Sequence, residues 1–317
     1  MNRKGRVNGV EGPGVRPAEP VLRAAGLVAA VVLLAGCFTL DSFLFEPTKV
    51  DEYLRPGDME DHWHVRFVIP DSLIEPVELV SSGGNRIYGF FVTPLPDTTR
   101  QLENATTVLY CHGNAVNINR FWGRVELLWE AGFRVFIFDY QGYGMSEGEP
   151  SAEACYADAR VSLEYCLGRP DVTDSLVAYY GWSLGSWVAT YLAADSVRPL
   201  GLMLESPYSS TSAIVREGGL LGVPGRFVAE ADFDNERRIP QVGCPVMFVY
   251  GAEDAYAVPE RHAEPLIDIA VKWGLDVTVE EIAGAGHDDV PELMGYPEYR
   301  QALRDFVALC AADTTGP

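Results

Sequence analysis

The feature that most constrains the fold of this chain is an alternation of short apolar runs with helical segments after residue 105. Nearly continuous apolar runs at 106–111 and 134–139 are each followed along the chain by a segment with helical periodicity. Buried strands that alternate with helices indicate a mostly parallel sheet covered by helices on both faces. We therefore predict an α/β fold, whose antiparallel edge is formed by three earlier β-rich stretches, at 64–69, 77–80 and 86–93.

The predicted main domain covers residues 62–312, and residues 37–61, which include Pro47 and Pro56, are interpreted as a tether. Within the main domain, residues 214–240 are rich in glycine, proline and charge but too short for a domain, so we interpret them as a small lid. The 45 acidic and 24 basic side chains give a formal net charge of −21. Such a charge repels phosphate backbones, so no nucleic acid partner is expected.

The first 36 residues have the organisation of a signal peptide. Residues 1–23 carry five basic and two acidic side chains, and the uncharged run AAGLVAAVVLLA follows at 24–35. The segment Leu34-Ala35-Gly36-Cys37 resembles the lipobox of bacterial lipoproteins, in which the cysteine becomes the lipidated first residue of the mature chain. This resemblance implies that residues 1–36 are removed and that Cys37 carries the lipid.

The same segment predicts an exported protein, anchored by lipid to the bacterial cell envelope. Because Phe38 rather than aspartate follows the cysteine, the outer membrane is favoured in a host that has one. An uncleaved anchor formed by the apolar residues 24–40 is the alternative, although a spanning helix normally needs about 20 residues. A core helix fits less well, because the run has no polar face.

A candidate nucleophile lies in Gly181-Trp182-Ser183-Leu184-Gly185, between a predicted strand at 176–181 and a helix that continues to about residue 194. A tight turn between strand and helix forces the serine into strained backbone geometry and exposes its hydroxyl. The N-terminus of the helix also favours the negative charge that develops during attack. The motif is short, but this setting makes Ser183 the predicted nucleophile.

A serine needs a base to become a good nucleophile. His287 lies in a glycine-rich loop after the last predicted strand, and Asp254 follows the strand at 246–251. Open α/β sheets build their sites at such carboxyl ends of strands. We expect His287 to take the serine proton and Asp254 to orient the imidazole. The alternatives are a surface role for His287, and a different acid partner among Glu253, Asp288 and Asp289.

Two backbone N–H groups are expected to form the oxyanion hole, those of Leu184 and Asn114. Asn114 belongs to the loop His112-Gly113-Asn114-Ala115, after the first predicted parallel strand. His112 is expected to order this loop, and a role as a second base is the weaker alternative, because one base suffices.

The cysteines are predicted to be buried thiols. Cys155 and Cys166 lie on one predicted helix, about 16 Å apart along its axis, which is too far for a disulfide. No residue spacing suggests a metal site, and no cofactor motif is found.

Several motifs together resemble the α/β-hydrolase superfamily: YCHGNA at 110–115, DYQGYGMSEG at 139–148, GWSLG at 181–185, ESPY at 205–208, GAED at 251–254 and GH at 286–287. The chain is especially similar to the subgroup of mammalian α/β-hydrolase-domain depalmitoylases and their bacterial relatives. The resemblance implies an α/β-hydrolase fold with the order Ser, Asp, His, and structural roles for Asp139 and Ser146.

The activity that this resemblance implies is hydrolysis of a small acyl ester or thioester. The depalmitoylases have a cysteine-rich N-terminal region, which this chain lacks, so the substrate itself does not carry over. A serine peptidase of the same fold and a non-catalytic envelope binding protein are the alternatives. The oligomeric state is not predicted.

Overall fold

The computed structural model describes residues 44–58, 69–81, 83–95, 105–217 and 233–313. All of them fall within the unit Leu40–Pro317. Four predictions lie wholly or mainly outside the described residues: the signal peptide at 1–36, the lipidation site Cys37, the β-rich stretch at 64–69 and the middle of the lid at 218–232.

Ten strands occur in the described residues. In chain order they are β1 (Glu46–Pro47), β2 (Ile74–Val80), β3 (Arg86–Val92), β4 (Thr107–Cys111), β5 (Ala115–Val116), β6 (Arg134–Phe138), β7 (Val177–Trp182), β8 (Leu202–Glu205), β9 (Val246–Gly251) and β10 (Val277–Ile282). Eight of them form one sheet in the order β10-β9-β8-β7-β4-β6-β3-β2, and β1 pairs separately with β5.

The main sheet is mostly parallel, as predicted. Along the part of the sheet ordered β10-β9-β8-β7-β4-β6, every strand is parallel to its neighbours. By contrast, β3 is antiparallel to β6, and β2 is antiparallel to β3. The hairpin between β2 and β3 turns at Gly84, whose φ of 83° suits a residue without a side chain. The antiparallel strands therefore form the edge that the sequence predicted.

Eight α-helices connect the strands in the described part of the chain: α1 (Trp122–Glu130), α2 (Ala152–Leu167), α3 (Gly185–Asp195), α4 (Thr211–Glu217), α5 (Asn235–Arg238), α6 (Ala263–Lys272), α7 (Val290–Met294) and α8 (Tyr296–Asp313). Ser151 caps α2, because its Oγ accepts a hydrogen bond from the N–H of Ala154 at 3.0 Å. The five-residue α7 was not predicted, since it is too short to show a helical period. None of the described helices has both the length and the apolar composition to cross a bilayer.

Helices cover both faces of the sheet, and each face has its own apolar core. Successive residues of a strand point to opposite faces, so β4 contributes Leu109 and Cys111 to one core and Val108 and Tyr110 to the other. The first core is closed by α2, α3 and α6, and the second by α1 and α8. This confirms the predicted layered architecture.

The strand order reverses beside β4. The chain passes from β4 to β6 on one side and then returns to β7 on the other side, so the carboxyl ends of β4 and β7 are neighbours. Cys111, the last residue of β4, pairs in register with Gly181 of β7. In open α/β sheets a ligand crevice forms at such a switch point.

Residues 44–58, which we call the strap, are part of the folded domain and correct the prediction of a tether over 37–61. Leu44 and Phe45 are buried, and β1 pairs in parallel with β5. The Nε1–H of Trp122 donates a hydrogen bond to the carbonyl oxygen of Leu54 at 3.0 Å. The apolar residues of the strap have no helix or strand period, and their partners lie far away in sequence, so the pattern alone did not reveal this packing.

The segment between Thr211 and Phe233, which contains the first part of the lid predicted at 214–240, is held by the main core at both ends. Phe233 is buried, and its ring stacks on Trp187 of α3 with the ring centres 4.6 Å apart. The N–H of Thr211, at the start of α4, donates to the carbonyl oxygen of Phe233 at 2.9 Å. The two ends of the segment therefore meet beside α3, the helix that follows Ser183.

Candidate active site

Ser183 occupies a tight turn between β7 and α3. Its φ of 56° lies in the left-handed region that residues with a side chain rarely adopt. The flanking glycines are needed for close packing: a Cβ on Gly185 would lie 1.9 Å from the carbonyl oxygen of Cys111, and one on Gly181 would lie 2.5 Å from the carbonyl oxygen of Gly185. The strained turn expected from the motif is present, and the close packing of Gly181 and Gly185 keeps the serine in this conformation at the end of the strand.

Three side chains predicted to work together form a continuous hydrogen-bonded line. The Oγ of Ser183 lies 2.8 Å from Nε2 of His287, and Nδ1 of the same ring lies 2.7 Å from Oδ2 of Asp254. A carboxylate only accepts hydrogen bonds, so Nδ1 carries the proton and Nε2 faces the serine as an acceptor. Such a line can move the serine proton to the imidazole during attack on a carbonyl carbon.

Asp254 is buried and still suited to remain ionised. Burial by itself raises the pKa of this carboxyl group, but hydrogen bonds from His287 and from the N–H groups of Ala257 and Tyr256 outweigh burial and lower the pKa below its usual value. Both N–H groups donate to Oδ1 at 2.8 Å. The carboxylate is therefore fixed in position, with its second oxygen left for His287.

Two of the three alternative acids have other partners, and the third is exposed. Asp289 accepts a hydrogen bond from the N–H of Gly286 at 2.7 Å, and Asp288 forms an ion pair with Arg120 at 3.2 Å. Glu253 is exposed. The geometry thus selects Asp254 as the partner of His287, and His287 is not a free surface histidine.

The loop that carries Asn114 lies directly against Ser183. A Cβ on Gly113 would lie 3.5 Å from Cβ of Ser183. In the part of the chain that the structure describes, the N–H groups of Asn114 and Leu184 donate to no protein acceptor. Two unoccupied donors next to Ser183 fit the requirement of an oxyanion hole.

His112 orders this loop and has no contact with Ser183. It is fully buried and stacked on Phe121, with the ring centres 4.7 Å apart. Its Nδ1–H donates to the carbonyl oxygen of Gly113 at 2.7 Å, and its Nε2 lies 3.0 Å from Oδ1 of Asp139. The structure therefore favours the ordering role over that of a second base.

Asp139 and Ser146 are structural, as the resemblance implied. Asp139 accepts a hydrogen bond from the N–H of Ile118 at 3.0 Å. Ser146 Oγ donates to the carbonyl oxygen of Asp139 at 2.9 Å and accepts from the N–H of Tyr88 at 3.0 Å. Neither side chain contacts Ser183, and together they hold the loop after β6.

The sequence did not reveal a buried ion pair beside the site, between Arg124 and Glu205. Glu205 belongs to the ESPY motif, but Arg124 carries no signal apart from being a basic residue within a predicted helix. Arg124 Nη2 also donates to the carbonyl oxygen of Asp288 at 2.8 Å, so it supports the loop that holds His287.

In the described residues, no group of three or more His, Cys, Asp or Glu side chains could hold a metal ion.

The fold and this arrangement define an α/β hydrolase, and the chain belongs to the α/β-hydrolase fold family. The model of that family matches residues 106–200. The uncharacterized protein Rv2307c of Mycobacterium tuberculosis is 35% identical over 231 residues, which cover 73% of this chain and 78% of the relative. The uncharacterized protein YfhR of Escherichia coli is 30% identical over 240 residues, 74% of this chain and 80% of the relative.

A solved structure gives the same result for the fold. The esterase Pf2001 of Pyrococcus furiosus superposes with a TM-score of 0.63 at 15% identity, over 84% of this chain and 97% of that chain. Identity this low shows a shared fold only, and function has to be argued from the site.

Proposed function

We propose that this protein is a serine hydrolase that cleaves carboxylic ester or thioester bonds through an acyl-enzyme on Ser183. The observation that carries the proposal is the chain of hydrogen bonds through His287. Its Nδ1 lies 2.7 Å from Oδ2 of Asp254, and its Nε2 lies 2.8 Å from Oγ of Ser183. The free N–H groups of Asn114 and Leu184 beside the serine support it, because a nucleophile and an oxyanion hole are needed together.

In the first half of the reaction Ser183 Oγ attacks the carbonyl carbon while His287 Nε2 takes its proton. The resulting oxyanion accepts hydrogen bonds from the N–H groups of Leu184 and Asn114, and Asp254 stabilises the imidazolium. Collapse of the tetrahedral intermediate breaks the bond to the leaving group. His287 returns the proton to this alcohol or thiol.

In the second half a water molecule attacks the acyl-enzyme, and His287 again acts as the base. Collapse then releases the carboxylic acid and restores the Ser183 hydroxyl. The exposed ring of Tyr256, 5.5 Å from the ring of His287, offers an apolar surface beside the reacting bond. Such a surface suits an acyl chain, which loses unfavourable contact with water when it binds.

Fluorophosphonate labelling tests the nucleophile. We expect the full chain in detergent to react covalently, Ser183→Ala to be unreactive, and Ser196→Ala to react like the wild type, because Ser196 is an exposed serine near the other end of α3. Circular dichroism checks that all three proteins are folded. A folded wild type without labelling would contradict the active-hydrolase proposal and favour the non-catalytic binding protein.

The bond type is tested with matched substrates. A p-nitrophenyl ester, an acyl thioester and a p-nitroanilide of the same short acyl group report on ester, thioester and amide cleavage. Turnover of the first two, abolished in Ser183→Ala, is expected. A preference for the thioester would support a depalmitoylase-like role, and a preference for the anilide would favour the serine peptidase.

We also propose that the protein is exported and anchored to the cell envelope through a lipid on Cys37. The support is the segment Leu34-Ala35-Gly36-Cys37 after a signal-like apolar run. The strap begins only seven residues after Cys37, a span of at most about 25 Å. Incorporation of an alkyne fatty acid by the wild type but not by Cys37→Ala tests this, and equal incorporation would contradict it.

A further inference from the structure

The strap is joined by backbone hydrogen bonds to the loop that carries the oxyanion donor. The N–H of Glu46 donates to the carbonyl oxygen of Asn114 at 3.1 Å, and the N–H of Thr48 donates to that of Val116 at 2.8 Å. The side-chain amide of Asn117 donates to the carbonyl oxygen of Thr48 at 2.9 Å. The strap thus pairs directly with the loop that carries Asn114.

The strap is also joined to the loop after β6. The N–H of Gly144 donates to the carbonyl oxygen of Thr48, and the N–H of Val50 donates to that of Gly144, both at 3.2 Å. From the same loop, the Tyr143 hydroxyl donates to the carbonyl oxygen of Asn114 at 2.7 Å. The carbonyl oxygen of Asn114 therefore receives one hydrogen bond from the strap and one from a loop that the strap holds.

Tyr53 of the strap begins a chain of polar contacts that leads to the peptide before Asn114. Its hydroxyl donates to Oδ2 of Asp139 at 2.6 Å and accepts from the N–H of Met145 at 3.0 Å. Burial and the Asp139 carboxylate raise the pKa of Tyr53 above its usual value, so the hydroxyl keeps its proton. The other carboxylate oxygen, Oδ1, lies 3.0 Å from Nε2 of His112, a close contact of the two buried groups that is not a hydrogen bond.

The last contact in this chain fixes the direction of the oxyanion donor. His112 Nδ1–H donates to the carbonyl oxygen of Gly113, which belongs to the same peptide group as the N–H of Asn114. In a trans peptide the C=O and the N–H point in opposite directions. Holding the Gly113 carbonyl against His112 therefore turns the Asn114 N–H away from that ring.

We propose that Tyr53 is a positioning residue for the oxyanion hole, acting through Asp139 and His112 on the Asn114 N–H. This inference rests on the proposed serine hydrolase function. It makes the strap part of the catalytic apparatus, although the strap contributes no group to the reaction. A transition-state donor must be held to within about 0.5 Å, and loss of one such donor lowers kcat by about 10²–10³-fold.

The variant Tyr53→Phe tests the inference, because it keeps the ring that packs on Phe90 and removes only the hydroxyl. With the full chain in detergent, we expect kcat for a p-nitrophenyl ester to fall about tenfold, which is less than the fall of about 10²–10³-fold for complete loss of a donor, because the Asn114 N–H is misplaced and not removed. KM should stay within about twofold, since ground-state binding does not use the donor. The matched control is Tyr165→Phe, which removes a hydroxyl that contacts Glu75 and Arg169, and it should behave like the wild type.

Two further readouts separate positioning from a general loss of structure. The final amount of fluorophosphonate label counts active molecules, so in Tyr53→Phe it should match the wild type while the labelling rate falls. Hydrogen exchange of the peptides that cover 112–118 should be faster in Tyr53→Phe and unchanged in Tyr165→Phe. Wild-type exchange and wild-type kcat in Tyr53→Phe would overturn the inference.

A second variant covers the case in which Tyr53→Phe does not fold. Asn117→Asp keeps the oxygen that accepts from the N–H of Asn119 but loses the amide that donates to Thr48. Asn117→Asp should also lower kcat and speed hydrogen exchange in the peptides that cover 112–118, although both changes should be smaller than in Tyr53→Phe. A wild-type kcat together with wild-type exchange would overturn the inference. If the folded wild type neither hydrolyses esters nor labels, the proposed function fails, and the exchange measurement still decides whether the strap orders the loop.

Discussion

Two nitrogens of the Arg124 guanidinium, Nε and Nη2, donate hydrogen bonds to the same oxygen of Glu205, Oε1, at 3.0 and 2.7 Å. The hydroxyls of Tyr180 and Tyr299 donate to its other oxygen, Oε2. Burial alone would lower the pKa of Arg124, but electrostatic interactions with Glu205 and with the hydroxyls of Tyr180, Tyr299 and Tyr110 together outweigh burial and raise the pKa. A charged pair thus lies beneath the active site, between the end of β8 and the loop of Asp288.

Removal of the arginine should destabilise the protein strongly. Arg124→Met leaves the Glu205 carboxylate buried without its counter-charge, and we expect a loss of about 3–5 kcal/mol in the free energy of unfolding, measured with urea. Arg86→Met is the control, because Arg86 and its partner Glu147 are exposed and hydrated, so a much smaller loss is expected. Equal losses in the two variants would contradict the importance of the buried pair.

The tight turn between β7 and α3 should not tolerate a side chain at Gly185. In Gly185→Ala the new Cβ meets the carbonyl oxygens of Cys111 and His112, so α3 has to move away from the end of β4. We expect a loss of about 1–3 kcal/mol in the free energy of unfolding and slower fluorophosphonate labelling. Gly57→Ala, where a Cβ meets no atom within 4 Å, should match the wild type in both measurements.

Asp254 should make stability depend on acid pH. Its pKa is lower in the folded protein than in the unfolded chain, so its ionised form stabilises the fold above the unfolded pKa, about 3.9. This stabilisation is lost as the pH falls through the lower, folded pKa. The difference in unfolding free energy between the wild type and Asp254→Asn should therefore be largest near neutral pH and shrink below about pH 4.

Urea unfolding from pH 7 to pH 3 measures that difference, and a constant value would argue against an ionised Asp254. The same variant should keep its fold at neutral pH while kcat falls on the order of 10³–10⁴-fold, because the imidazole loses its orienting partner. A kcat close to that of the wild type would assign the acid role to another carboxylate.

The five cysteines after Cys37 should be unreactive in the folded protein. All five are buried, and burial raises the pKa of each thiol among Cys111, Cys155, Cys166 and Cys244, that of Cys244 to about 12. The thiolate is the reactive form. Protein lacking residues 1–37 should therefore show no rapid reaction with Ellman's reagent, and all five thiols should react in guanidinium chloride. One rapid thiol in the native protein would contradict the burial.

Much of the fold follows from local pattern. The bounds of the strand Val246–Gly251 match those predicted, because a short apolar run limited by turn residues is a signal that neighbouring residues carry. The signal for the tight turn at Ser183 is equally local, since the close packing of this turn requires Gly181 and Gly185. The strap lacked such a signal: Tyr53 and Asp139 are 86 residues apart, and neither residue type predicts the contact.

The sequence by itself determined the α/β architecture and the antiparallel edge, because hydrophobic period and turn residues are local signals. It also indicated Ser183, His287 and a group of candidate acids that includes Asp254, because these residues follow the carboxyl ends of predicted strands. Only the tertiary structure decided that Asp254, rather than Asp288 or Asp289, faces the imidazole, and that the strap belongs to the domain. It also brought together Arg124 and Glu205, which are 81 residues apart. Such pairs depend on how sheet and helices pack, since the burial that makes a polar contact strong exists only in the folded chain.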